Sequence, residues 1–118
     1  MSNTNPITEH NPKIPSDVKR TYRWGFRGSR AETQLRLARD HIIVYQREDK
    51  LVRHTIHLFV DGEETFEKTI PTFVLIPRKL EHHFQLEEVP CRFVFRIIPL
   101  GLWLDVRVFV NDVKVMRV

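Results

Sequence analysis

The chain has 118 residues, of which 42% are apolar, 29% charged and 10% aromatic, and its formal net charge is +4. This composition is typical of one globular domain and excludes a long disordered tail. Its single cysteine excludes an internal disulfide, and its apolar runs are far shorter than the roughly 20 residues that cross a bilayer, so we expect a cytoplasmic protein with no membrane contact.

The N-terminal segment differs in composition from the rest of the chain. It contains Pro6, Pro12 and Pro15 among Ser, Asn and Thr, with few large apolar groups. Because such a segment buries little apolar surface, we predict a flexible arm over residues 1–18. From there on, short runs rich in Val, Ile, Phe and Arg alternate with turn residues, and no stretch has helical spacing. Residues 19–118 are predicted to form one all-β domain.

Alternating runs in the first part of the domain indicate paired strands. Tyr22 and Trp24 share one face of the first strand, and Arg23 lies on the other. Asp61-Gly62 separates two alternating runs within residues 53–70, a strong hairpin signal.

The C-terminal part has the clearest period of two. We predict a meander of three strands, in which Asn111-Asp112 forms a tight turn before Val113–Val118. Its apolar face carries Cys91, Phe93, Phe95, Ile97, Val106, Val108 and Val110, and its opposite face carries Arg92, Val94, Arg96, Trp103, Asp105, Arg107 and Phe109.

The spacing of these runs predicts the architecture. Strands this close together form a sandwich or a small barrel, and the inward side chains are too large and apolar to leave an open lumen. We therefore predict an all-β fold, an antiparallel immunoglobulin-like β-sandwich of about eight strands.

The order of these features resembles a known family. A strand with Trp24 precedes Val60-Asp61-Gly62-Glu63, and an alternating strand, a connection with Gly101 and a final hairpin at Asn111 follow. This order is similar to that of the β-sandwich domain of the Fas apoptotic inhibitory molecule family, whose last hairpin has glycine where this chain has Asp112.

The resemblance implies a protein that is not an enzyme and acts by contact with other proteins inside the cell. The family is associated with restraint of death-receptor signalling, neurite outgrowth and protection against protein aggregation. It implies an adaptor or regulator with a chaperone-like role, and it supplies no catalytic residues.

The sequence predicts no catalytic, metal or cofactor site. Residues an odd number apart on a strand point to opposite faces, so His54 diverges from His57 and His82 from His83, whereas zinc needs converging ligands. Cys91 lies on the apolar face of its strand, as expected of an inert core thiol. A site that combines His82 with Cys91 stays possible.

We place the predicted protein contact on the outward side chains of the last strands. Trp103 and Phe109 are the expected apolar anchors, and Arg92, Arg96 and Arg107 the cationic rim. The alternative is that the N-terminal arm or a loop covers the two aromatic side chains.

A second hypothesis is that the domain binds nucleic acid. Arginines interleaved with aromatic side chains hold single strands by neutralising phosphates and stacking on bases. The residues predicted for this function are Arg23, Arg27, Arg36 and Tyr45. The alternative is that the arginines only shield an outer sheet face. A homodimer is also possible, if the strand Val113–Val118 lies at a sheet edge.

Overall fold

The computed structural model describes residues 13–25, 27–71, 78–97 and 104–118. None of these residues forms a helix of the length and apolar character that a membrane crossing needs. The regular structure of the described residues consists of the strands β1 (Ser16–Gly25), β2 (Gly28–Arg36), β3 (Asp40–Asp49), β4 (Arg53–Val60), β5 (Glu63–Pro71), β6 (Arg78–Leu86), β7 (Val89–Ile97), β8 (Leu104–Val110) and β9 (Val113–Arg117).

The strands form two antiparallel sheets. Sheet A has the order β1-β2-β3-β4-β5, and sheet B has the order β6-β7-β8-β9. The predicted all-β sandwich is confirmed. Each sheet is a meander, whereas immunoglobulin domains connect their sheets by Greek keys, so the likeness to them lies in the two layers and not in the strand order.

Aromatic side chains join the two sheets in the core. Tyr45 of sheet A and Phe93 of sheet B have no exposed surface (0%), and their ring centroids are 6.1 Å apart. Phe66 packs edge-on against Phe93, with centroids 5.5 Å apart, and also contacts Phe95. Full burial of one such side chain contributes about 1.5–3 kcal/mol, so these rings are a main source of the attraction between the sheets.

The two hairpins that the sequence predicts are present. Asp61 and Gly62 have φ values of 51° and 83°, and Asn111 and Asp112 have 49° and 64°. Both turns thus place two residues in the left-handed region. A two-residue hairpin loop needs this conformation so that its twist matches the twist of the flanking strands. Asp, Asn and Gly tolerate that region best, which is why these dipeptides were readable in the sequence.

A third hairpin turn, Glu87-Glu88, has no such sequence signal. Both residues have positive φ, 51° and 66°, which costs about 1–2 kcal/mol for each side chain of this kind. The carboxylate of Glu87 accepts hydrogen bonds from the backbone N–H groups of Ala38 (3.1 Å) and Arg39 (2.9 Å). The turn of sheet B is thereby tied to the β2–β3 turn of sheet A, which offsets the strain.

The domain begins earlier than the sequence predicts. We expected a flexible arm up to residue 18, but β1 begins at Ser16, whose hydroxyl donates to the carbonyl of Arg36 (3.4 Å). Val18 packs against the core. The expectation was wrong for residues 16–18, because Val18 has apolar partners that its own segment does not reveal. Residues 1–12 lie outside the described part of the chain.

The C-terminal strand β9 lies at an edge of sheet B, the position that dimerisation through it requires. The Val115 carbonyl accepts hydrogen bonds from the Arg20 guanidinium (2.8 Å) and the Thr33 hydroxyl (3.3 Å), both of sheet A. These bonds hold β9 over sheet A. A homodimer formed along this strand stays a prediction.

Candidate functional site

The alternation of β7 and β8 places the described members of the predicted contact set together on the outer face of sheet B. Arg92 lies opposite Phe109 in the strand register, and Arg107 lies opposite Val94. Arg96 lies opposite Asp105 on the same face. The inward positions between them, such as Phe93, are fully buried, so this parity is fixed by the core.

This outer surface of sheet B, called the cationic face below, carries more positive than negative groups. The neighbouring strands β6 and β9 add further charged side chains to it. Its cationic side chains are Lys79, Arg92, Arg96, Arg107, Lys114 and Arg117, and its acidic ones are Glu81, Asp105 and Asp112.

Phe109 is only half-buried, and an arginine lies across it. The guanidinium carbon of Arg92 is 4.4 Å from the ring centroid of Phe109, a cation–π contact. The same guanidinium is 3.9 Å from Glu81 and 3.5 Å from Asp112. Part of the aromatic anchor is therefore covered, as the shielding alternative anticipates, while its position within the cationic face agrees with the sequence prediction.

Arg96 differs from the other arginines of the cationic face. It is exposed and has no carboxylate within ion-pair distance among the described residues. Arg107, by contrast, pairs with Asp105 at 3.2 Å, and Arg117 approaches the same carboxylate at 3.8 Å. Asp105 and Arg107 are half-buried, and these pairs order the side chains of the cationic face. Trp103, the other predicted anchor, lies outside the described residues.

The structure separates the residues predicted for nucleic-acid binding. Arg23 on β1 and Arg27 in the β1–β2 turn lie at one end of sheet A and line a common groove. Arg36 lies at the far end of β2, where its guanidinium is 3.8 Å from Asp40. A single site of the expected composition is therefore absent from the described part of sheet A.

Tyr45 was wrongly predicted to face a ligand. Its side chain has no exposed surface (0%) and packs on Phe93 in the core. Burial raises the pKa of its hydroxyl well above the ordinary value. The error has a simple cause: a Tyr between Val44 and Gln46 in β3 fits either face of a sheet, and the register of the whole sheet decides which one.

The histidine pairs diverge as the strand parity predicts. His54 and His57 lie on opposite faces of β4, and His82 packs on Phe66 at 4.9 Å between centroids, whereas His83 is exposed. His57 does have acidic neighbours that the strand pattern does not connect with it. Potential ligand atoms of His57, Glu64 and Glu67 lie within 4.8 Å of one another on the outer face of sheet A.

Cys91 is buried in the core, as expected. Burial raises the pKa of its thiol to about 11, so little thiolate exists at neutral pH. The strand register places Phe84, and not His82, opposite Cys91. The arrangement of His82 and Cys91 therefore does not provide an activated nucleophile.

A three-residue network that the sequence analysis missed links the two sheets. The imidazole of His41 is 4% exposed and lies between two carboxylates. Its Nδ1 is 2.7 Å from Asp61 Oδ2, and its Nε2 is 2.5 Å from Glu87 Oε2. Both nitrogens face carboxylate oxygens, so the charged imidazolium, which donates from both nitrogens, is the form that satisfies the two contacts together.

The pKa values in this network move in the directions that favour the ion pair. Burial alone would lower the pKa of His41, but hydrogen bonds and attraction to Asp61 and Glu87 outweigh it, so the pKa is raised from 6.5. The hydrogen bond from His41 lowers the pKa of Glu87. The sequence around Glu87 indicates only a solvated turn residue. Its partners are 46 and 49 positions away, which no local pattern reveals.

Comparison with known proteins gave no match. We found none among protein-family models, among curated proteins or among solved structures. The resemblance to the Fas apoptotic inhibitory molecule family therefore stays a prediction.

Proposed function

We propose that this domain is a protein-binding module whose cationic face docks an acidic segment of a partner. The observation that carries the proposal is the position of Phe109 among Arg92, Arg96 and Arg107 on two adjacent strands. Arginine and large aromatic side chains dominate the binding energy of many protein interfaces. Because positive groups prevail on this face, a partner rich in Asp and Glu is its electrostatic complement.

The shape of the cationic face favours a protein partner over a small molecule. The depression between Val94, Phe109 and the arginines has a volume of about 80 Å³. Small-molecule sites commonly have about 300–1,000 Å³ and enclose most of their ligand. A depression of this size suits one side chain of a docked protein.

Arg96 is the expected centre of the docking interaction. It has no carboxylate partner to give up among the described residues, whereas Arg107 must share or release Asp105. A guanidinium can bind a carboxylate through two parallel hydrogen bonds, which fixes orientation as well as adding energy. We therefore expect the partner's carboxylate to bind Arg96 first and its apolar side chain to contact Phe109.

The cellular role follows from the resemblance and is part of the same proposal. An adaptor or regulator of death-receptor signalling, or a protein that holds aggregation-prone clients, would act in the cytoplasm by contact and not by catalysis. The buried, weakly acidic thiol of Cys91 agrees with this view, because it offers no nucleophile. Binding of nucleic acid, the second candidate function, is favoured by another part of the surface, at the β1–β2 hairpin.

Removing the three arginines of the cationic face should abolish partner binding. We expect the variant Arg92→Ser/Arg96→Ser/Arg107→Ser to retain specific partners from cell extract at least about tenfold less than wild type, since loss of such residues commonly costs more than 1 kcal/mol each. The measurement is quantitative affinity capture with the intact domain, followed by displacement with a peptide copied from an acidic segment of a retained protein.

A matched control separates this face from net charge. The variant Arg36→Ser/Arg39→Ser/Arg53→Ser removes the same charge from exposed positions of sheet A and its β2–β3 turn. It should retain the same partners as wild type. Equal retention by both variants, or failure of every acidic peptide to displace the partners, would contradict the proposed function.

A further inference from the structure

An exposed tryptophan lies in a groove lined by arginines at the tip of the β1–β2 hairpin. The side chain of Trp24 is 75% exposed. The groove has a volume of about 380 Å³, and its lining includes Arg23, Arg27, Arg30 and Arg47. The groove is shallow and open to solvent, which suits an extended ligand lying across it. We call it the Trp24 groove.

Trp24 is exposed because sheet B covers only part of the inner face of sheet A. The strand register aligns Trp24 with Ser29, and Ser29 with Arg47, so the three residues lie on the face that carries the core further along the sheet. Sheet B covers this face at Tyr45 but leaves Tyr22 and Trp24 of the edge strand largely exposed. An apolar position is thus left open to a ligand.

A buried hydroxyl in the Trp24 groove lacks a hydrogen-bond partner. Ser29 lines the groove and is only 5% exposed, and its Oγ has no partner among the described residues. Buried polar side chains nearly always have a partner, because an unsatisfied one costs free energy. The hydroxyl marks a polar position within the wall of the groove.

The backbone holds the walls of the Trp24 groove together. Gly28 has a φ of +153°, and a Cβ atom at this position would lie 1.9 Å from the carbonyl oxygen of Arg47. Only glycine allows this approach of the hairpin to β3. The carbonyl of Arg27 also accepts a hydrogen bond from the backbone N–H of Asp49 at 2.7 Å. The groove is therefore preformed, which lowers the entropic cost of binding.

Two of the arginines are available for an anion. Arg47 pairs with Asp49 (2.8 Å), and Arg30 pairs with Glu32 (3.4 Å). Arg23 and Arg27 are exposed and have no carboxylate within ion-pair distance among the described residues. Glu48 is the acidic residue in the lining, so positive charge prevails in the groove.

We propose that the Trp24 groove binds single-stranded nucleic acid, with a base stacked on Trp24 and the adjoining phosphates held by Arg27 in the turn and by Arg23, whose side chain leaves the opposite face of the edge strand β1. An exposed indole beside unpaired guanidinium groups is the combination that holds single strands, since every base offers a flat face and every linkage a negative charge. A duplex has its base faces stacked internally and cannot use the indole. An acidic peptide would use the arginines but would gain little from Trp24.

The proposal is tested by fluorescence anisotropy with a labelled ten-nucleotide single strand. Wild type should bind, and its affinity should fall as the salt concentration rises. Trp24→Ala should bind about tenfold more weakly, and Trp24→Phe should recover most of the affinity, because stacking survives the smaller ring. Trp24 is exposed, so both variants should fold like wild type.

A second pair of variants separates the groove from the overall charge. Arg23→Gln/Arg27→Gln should weaken binding about tenfold and reduce the salt dependence by roughly 1.4 in the log–log slope, about 0.7 for each phosphate that is no longer neutralised. Arg36→Gln/Arg39→Gln removes the same charge at the other end of sheet A and should change the affinity less than twofold. The variant Arg92→Ser/Arg96→Ser/Arg107→Ser should likewise leave the affinity for the nucleic acid nearly unchanged. The experiment therefore tests the Trp24 groove independently of the proposed protein contact.

Several results would overturn the proposal. Wild type that fails to bind the strand at low salt, or equal losses from both glutamine variants, would show that the groove is not the site. Two further results would show that only charge is recognised. One is an affinity for a duplex equal to that for the single strand. The other is an equal affinity for an oligoglutamate peptide, with Trp24→Ala binding that peptide as well as wild type does.

Discussion

Replacing Phe93 with alanine is expected to lower the free energy of unfolding by about 3–5 kcal/mol, since the ring is fully buried and its removal leaves a cavity between the sheets. Phe93 contacts Tyr45 and Phe66 of sheet A, so the variant loses the attraction between the layers and not only within its own strand. Urea unfolding followed by circular dichroism measures the loss, and Phe93→Leu, expected to cost less because it leaves a smaller cavity, serves if the alanine variant does not fold.

Phe109→Ala is the matched comparison for this experiment. Phe109 is half-buried on the outer face of sheet B, and its main neighbour is the Arg92 guanidinium at 4.4 Å. Its loss should cost only about 1 kcal/mol. Equal costs for the two phenylalanines would show that the faces of β7 and β8 are assigned wrongly, and the cationic face would then lose its basis.

Replacing His41 with glutamine should remove about 2 kcal/mol of stability at weakly acidic pH, because two hydrogen bonds to charged carboxylates are replaced by weaker ones. The raised pKa of His41 means that its contribution is complete below pH 6.5 and is lost as the pH rises through the higher value of the folded state. The lowered pKa of Glu87 means that its contribution is present above pH 4.5 and is lost as the pH falls through the lower folded value.

The network should therefore stabilise the fold most between about pH 4.5 and 6.5. Urea unfolding at about pH 5.5 and about pH 8 should show that the stability of wild type exceeds that of His41→Gln by more at the lower pH, so the two proteins should differ in their pH dependence. His83→Gln, which changes a histidine whose side chain is 67% exposed, should keep the wild-type difference. A pH dependence in His41→Gln as large as in wild type would contradict the role of His41.

The sequence was sufficient to predict the strands that have one buried and one outward face. In β7 the alternation of Phe93 and Phe95 with Arg92 and Arg96 predicts the observed face of every side chain, because a shift by one residue would bury the arginines. The turns at Asp61-Gly62 and Asn111-Asp112 were equally readable, since their residue types tolerate positive φ.

Contacts between the sheets could not be predicted in the same way. The network of His41, Asp61 and Glu87 joins three separate turns or strand ends, and its geometry depends on how the two sheets stack. Glu87-Glu88 also lacks the residue types of a tight turn, so its strained backbone gave no local signal. Such features depend on tertiary structure and not on periodicity.

The exposure of Trp24 was hidden for a related reason. Alternation assigns Trp24 to the face that carries the core, and only the comparison of a five-stranded with a four-stranded sheet reveals that this part of the face is left uncovered. The same reasoning explains Tyr45, which alternation alone allowed on a surface but which the cover by sheet B places in the core. Parity assigns a side chain to a face, and the packing of the layers decides whether that face is buried.

The proposed function depends above all on the docking of an acidic partner at the cationic face. Backbone amide shift mapping of the isotope-labelled domain, titrated with an acidic partner peptide, is the decisive test. We expect the perturbed amides to cluster at residues 92–96 of β7 and 105–109 of β8, with the β1–β2 hairpin unaffected. Perturbations confined to sheet A, or the absence of any cluster at saturating peptide, would contradict this docking.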